Sequence, residues 1–93
     1  MEAVLDSGLE YLPGEPVLVR VVRREGRVRV SDEARGAALA GHAKVPEDVA
    51  RQIEEEFGVN VSRRGEIFLP GERFVERVAQ ASLALYQELL EEE

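Results

Sequence analysis

The sequence predicts an α+β domain. Two antiparallel β-hairpins form a small sheet, and two short helices and one long C-terminal amphipathic helix pack on one face of it. Three observations carry this expectation. Val17, Val19 and Val21 alternate along the chain, and Val28 and Val30 resume the alternation beyond Glu25-Gly26. Val59 and Val61 alternate before Arg63-Arg64-Gly65, and Ile67 and Leu69 after it. Apolar residues recur at helical spacing as Val49, Ile53 and Phe57, and again as Phe74, Val78, Leu85 and Leu89.

The elements follow in chain order. Residues 1–16 read as a poorly defined lead-in, because Gly8, Pro13, Gly14 and Pro16 interrupt any long element; only Leu9–Leu12 reads as a short edge strand. In the first hairpin a turn at Glu25-Gly26 pairs Arg24 with Arg27, Val22 with Arg29 and Val21 with Val30. Val19, Val21, Val28 and Val30 then share one face. Arg20, Arg24, Arg27 and Arg29 share the other, around Val22. A one-residue slip would mix the faces, so the valines select this register.

Ser31 and Asp32 are residue types that accept hydrogen bonds from the free amides of a helix start, and Glu33 suits the positive end of a helix dipole. A short helix is expected from Ala34 to Ala40, weakened by Gly36 and stopped by Gly41. Pro46, Glu47 and Asp48 mark the start of the second helix and Gly58 its end. The second hairpin needs Gly65 in a left-handed conformation, and it pairs Val61 with Ile67 and Val59 with Leu69. Phe68 falls on its polar face, where it covers a sheet edge or meets a partner. The last helix starts near Pro70-Gly71-Glu72 and runs to about Leu90. Its apolar surface, widened by Leu83, Tyr86 and Leu90, looks broader than one small sheet can cover. Glu91-Glu92-Glu93 sit at the negative end of the helix dipole, so residues 91–93 are expected to fray.

The 93 residues fit one domain with a core of little surplus. The net charge of −7 repels phosphate backbones and anionic membranes. The absence of cysteine excludes disulfides, thiolate catalysis and cysteine zinc sites. No apolar run approaches a membrane span, and the N-terminus lacks the basic start and apolar stretch of a signal peptide; a cytoplasmic setting is expected. Eleven arginines against a single lysine, Lys44, fit a GC-rich and thermophilic source, where charge networks matter more.

Candidate chemistry is sparse. Asp32 and Glu33 are adjacent at a helix start, so their side chains diverge, and no histidine stands at ligand spacing; the capping role is the simpler one. His42, the sole histidine, has no serine, acid or second histidine placed beside it. Phosphate-binding glycine loops are absent. No catalytic residue, metal or cofactor is expected. The arginine face of Arg20, Arg24, Arg27 and Arg29 is the sharpest feature, since guanidinium forks bind carboxylates and phosphates. It lacks interleaved aromatics, and its alternatives are a partner site or a solvated face paired with the domain's own acids.

Residues 14–90 resemble an uncharacterised family of prokaryotic and phage domains, domain-of-unknown-function family eighteen twenty-eight. The residues that carry the resemblance are Gly14-Glu15-Pro16, the strands of 17–30, Ser31-Asp32-Glu33, Gly58-Val59, Glu66-Ile67 and the helix of 73–90. The family often has glycine after the acidic step, where this chain has Ala34. The resemblance implies a compact α+β domain and a link to mobile elements, with no activity to carry over.

The expected function is a non-enzymatic protein-interaction module, homo-oligomeric through Leu83, Tyr86 and Leu90, with Arg20, Arg24, Arg27, Arg29 and Phe68 as a partner-binding set. The alternative is a nucleic-acid-associated accessory domain that uses the arginine face. No membrane partner is expected.

Overall fold

A computed structural model describes residues 1–92. The alternating valines pair as their spacing requires. Strand β2 (Glu15–Arg24) turns through Glu25 and Gly26 into β3 (Arg27–Ser31), with Arg24 opposite Arg27, Val22 opposite Arg29 and Val21 opposite Val30. Both turn residues have positive φ, 50° and 76°, which matches the twist of a two-residue hairpin. The second hairpin joins β4 (Asn60–Val61) to β5 (Ile67–Leu69), with Val61 opposite Ile67 and Gly65 left-handed at φ 92°. Strands β3 and β5 also pair, Val30 with Leu69 and Ser31 with Phe68, so the two hairpins merge into one sheet.

Residues 1–16 depart from expectation. Glu2–Leu12 form an eleven-residue strand, β1, antiparallel to β2 and at the edge of the sheet. The strand order is β1-β2-β3-β5-β4. Gly8 does interrupt β1, but as a bulge: the register shifts between Asp6 and Glu10, and Gly8 takes φ 85°. The shift preserves side-chain parity, and Leu9 and Tyr11 both pack into the core.

Three helices lie on one face of the sheet: α1 (Arg35–Leu39), α2 (Glu47–Phe57) and α3 (Val75–Leu90), the last preceded by a 3-10 turn at Glu72–Phe74. Val17, Val19, Val21, Val30, Ile67 and Leu69 project from the sheet and meet Val49 and Ile53 of α2 and Val78, Leu85 and Leu89 of α3, all buried. The step into α1 also differs from expectation. Glu33 and Ala34 are both left-handed, at φ 57° and 60°, so the helix begins only at Arg35 and has no acid in its first turn. Gly36 owes its place to contact: a Cβ there would lie 2.8 Å from the Ser82 carbonyl oxygen.

The broad apolar surface of α3 is covered within the chain. Tyr86 is buried and tilts against Tyr11 of β1, with ring centroids 5.3 Å apart. Leu83 packs half-buried on the core, while Leu90 remains 49 % exposed. Tyr86 is therefore a core residue, because β1 supplies the partner that a four-stranded sheet would have lacked. The tail expected to fray falls in part on Glu93, which lies outside the described residues; Glu91 N–H donates to the Glu88 carbonyl at 3.1 Å.

Candidate interaction surface

The Ser31-Asp32-Glu33 step builds a buried polar knot. Asp32 is 2 % exposed. Its Oδ1 accepts from Ile67 N–H at 2.8 Å and Ala34 N–H at 2.9 Å. Its Oδ2 accepts from Ser82 Oγ at 2.6 Å, and Ser82 Oγ lies 2.6 Å from the Tyr11 hydroxyl. One carboxylate thus ties the β3–α1 turn to β5, α3 and β1. The donors it satisfies include a strand amide from β5, so it clamps elements together rather than capping α1. Burial raises its pKa to about 6, against the opposing pull of its three donors, and burial likewise raises that of Tyr11 to about 12. Asp32, Glu33 and His42 make no hydrogen bonds to one another among the described residues. Glu33 turns outward to Arg20, and His42 sits in the segment after α1, with its backbone N–H on the Ala37 carbonyl. Among the described residues no group of three or more His, Cys, Asp or Glu is placed to hold a metal ion.

Among the described residues no helix covers the second face of the sheet. Even-numbered residues of β2 point to it, as does the arginine set. Arg20 lies between Glu2 at 2.9 Å and Glu33 at 2.7 Å, and Arg24 reaches Glu2 at 3.2 Å. Arg29 pairs with Glu66 at 3.1 Å and stacks 4.0 Å above the Phe68 ring. Burial pushes the Glu66 carboxyl up, but the Ser31 hydroxyl at 2.6 Å and Arg29 outweigh it, so its pKa is lowered. Arg27 makes no ion pair among the described residues. Three of the four arginines therefore face the domain's own acids, and one is unpaired among the described residues. Phe68 serves as the platform for Arg29. Where β5 ends, an open groove of about 1130 Å³ runs past Arg24, Arg27, Val28, Arg29, Asn60 and Phe68 to Pro70 and Gly71.

The free edge of β1 is the surface that sequence reasoning missed. Of the exposed large hydrophobics Met1, Val4, Leu5, Leu12, Leu39 and Leu90, four lie on or beside this strand; Val4 is 58 % and Leu5 42 % exposed. The backbone has a definite polarity here. Arg23 N–H donates to the Met1 carbonyl at 2.8 Å, so Met1–Arg23 is a hydrogen-bonded pair. Antiparallel alternation makes Ala3–Val21 and Leu5–Val19 the next such pairs. The N–H and C=O groups of Glu2, Val4 and Asp6 consequently face outward, with no strand among the described residues to meet them. A signal was present in the sequence: Ala3, Leu5, Leu9 and Tyr11 all carry the parity of a core-facing row, obscured by the outward apolar Val4 and by Gly8.

No family model, curated protein or solved structure matches this chain. No helix among the described residues is long and apolar enough to cross a membrane.

Proposed function

We propose that the protein is a non-enzymatic interaction module that self-associates by pairing β1 with β1 of a second copy. The observation that carries this reading is the coincidence, on one strand, of unpaired backbone groups and most of the exposed large hydrophobics. A long, flat, apolar edge is a template for another strand. Glu2, one of the two acids on its straight portion, is already neutralised by Arg20 and Arg24. The bulge at Gly8 limits pairing to residues before it.

Alternation restricts the register. Outward-facing residues are even-numbered, so a two-fold axis on the straight portion passes through Ala3, Val4 or Leu5. An axis at Val4 sets Glu2 opposite Asp6 of the second copy, twice, which juxtaposes like charges. An axis at Leu5 sets Val4 opposite Asp6 and brings the two Leu5 side chains together in a non-hydrogen-bonded pair, the closer kind. The Leu5 axis is favoured over the Val4 axis on charge, and it opposes two half-exposed leucines where an Ala3 axis opposes two methyl groups. The domain then forms a dimer with one continuous ten-stranded sheet, twice the five strands of a single copy.

A Leu5→Cys variant tests this in a chain without other cysteines. Mild oxidation is expected to yield a covalent dimer, since directly opposed Cβ atoms lie within disulfide reach. Light scattering of the unmodified protein is expected to give a dimer mass at high concentration. A monomer at about millimolar concentration, with no cross-link, refutes the proposal. The arginine face adds nothing to a nucleic-acid reading, because three of its four cations have carboxylate partners and the net charge is −7.

A further inference from the structure

We infer that the groove beside the end of β5 is a binding site for an acidic peptide segment in extended conformation. It is independent of the β1 edge, because β3 lies in the middle of the sheet. Three features converge on it.

The first is an unpaired stretch of strand. Strand β3 spans Arg27–Ser31, but β5 covers only Val30 and Ser31. Arg24 and Arg27 close the hairpin as a hydrogen-bonded pair, so Arg27, Arg29 and Ser31 bond to β2. Val28 and Val30 direct their N–H and C=O to the opposite side. Val30 meets Leu69 there. Val28 would meet Gly71, but the chain turns away at Pro70, and Val28 finds no backbone partner among the described residues. By the same alternation its donor and acceptor point to the β5 side, and Val28 itself lines the groove.

The second feature is charge. Arg27 flanks Val28, makes no ion pair among the described residues, and stands opposite Arg24 across the hairpin. Residues that alternate with period two along an added strand would place a carboxylate within reach of this pair. The third is a flat surface: Phe68 lies under the Arg29 guanidinium, and the groove extends over it.

These features favour a peptide over a nucleic acid. The Val28 edge offers a donor beside an acceptor, and a peptide backbone complements both. A phosphate backbone offers acceptors only and would leave the Val28 carbonyl unmet. The occupant is an acidic, extended segment of a partner protein, held by a short stretch of strand addition and by carboxylate–guanidinium bonds.

The test uses the full chain and three fluorescent probes: an octapeptide of alternating Glu and Val, the same peptide with Lys for Glu, and a short single-stranded oligothymidylate. The acidic peptide is expected to bind, and the Lys peptide is not. Arg27→Glu is expected to weaken acidic-peptide binding at least tenfold, the loss of one charge-assisted contact. Because Arg27 makes no ion pair among the described residues, its replacement should leave the urea midpoint unchanged. The Val28 amide resonance should shift on adding the acidic peptide to the unmodified protein. Equal binding of both peptides, acidic-peptide binding unaffected by Arg27→Glu, or binding of the oligonucleotide alone overturns the inference. A Leu5→Asp variant, which breaks β1 pairing, should bind the acidic peptide as the parent does. That outcome separates this site from self-association.

Discussion

Asp32 is buried as a potential anion with no cation bonded to it among the described residues, and the cost is measurable. The folded state raises its pKa from 3.8 to about 6, chiefly through burial. A raised pKa means that the folded chain holds the proton more tightly than the unfolded chain. Asp32 therefore contributes stability that is fully present below pH 3.8 and is lost as pH rises through about 6. The full loss is about 3 kcal/mol, of which about 2 kcal/mol falls between about pH 4.5 and about pH 7.5. Asp32→Asn removes this titration and keeps an oxygen for the Ile67 and Ala34 amides. Its new NH2 group donates to Ser82 Oγ, which then donates to Tyr11. Urea unfolding of both proteins by circular dichroism, across that pH interval, isolates the effect, because Glu66 and the other carboxylates titrate alike in the two. The stability of the parent relative to the variant should fall by about 2 kcal/mol as pH rises. A difference that stays constant with pH, or grows, refutes the assignment of Asp32 as the buried titrating group.

Three further substitutions probe the same corner of the fold. Ala34→Gly should stabilise the protein by about 0.5–1 kcal/mol, because Ala34 is left-handed at φ 60° and glycine adopts that conformation without a Cβ clash; the urea midpoint reads it. Gly36→Ala should instead lower stability by about 1–2 kcal/mol net, although alanine is the better helix former, since the added Cβ meets the Ser82 carbonyl oxygen at 2.8 Å and its hydroxyl at 3.0 Å. Ser82→Ala leaves both Asp32 Oδ2 and the Tyr11 hydroxyl without their partner and should cost about 2–3 kcal/mol, with the pH dependence of stability steepened in the same titration.

The legible parts of this fold are those where one face is buried and the other wet. Val19, Val21 and Val30 carry the register of the first hairpin because a slip would put them in water. Gly26 and Gly65 mark its turn and that of the second hairpin because left-handed φ favours glycine. Leu9–Leu12 were legible as an edge strand, but the first part of β1 was not, for the converse reason: an edge strand partly exposed on both faces tolerates Val4 outward and Leu5 half-covered, so its parity is blurred. Without β1, the Tyr86 side of α3 looked unpartnered, and a core residue read as an interface. The acidic step was legible as a place where backbone donors are satisfied. Which donors was not, since Ile67 N–H comes from a strand 35 residues onward. Glu33 and Ala34 hide a left-handed turn because neither residue type advertises one. The arginine face was placed correctly, but its neutralisation depended on Glu2 and Glu66, which only the sheet order brings alongside.

Amide hydrogen exchange at Val4 and Asp6, followed against protein concentration, tests the self-association most directly. These two amides point away from β2, whereas those of Ala3 and Leu5 bond to it. Under β1 pairing, Val4 and Asp6 exchange freely in dilute solution and become protected as concentration rises, with Ala3 and Leu5 protected throughout. Rapid exchange at Val4 and Asp6 at every concentration would contradict it.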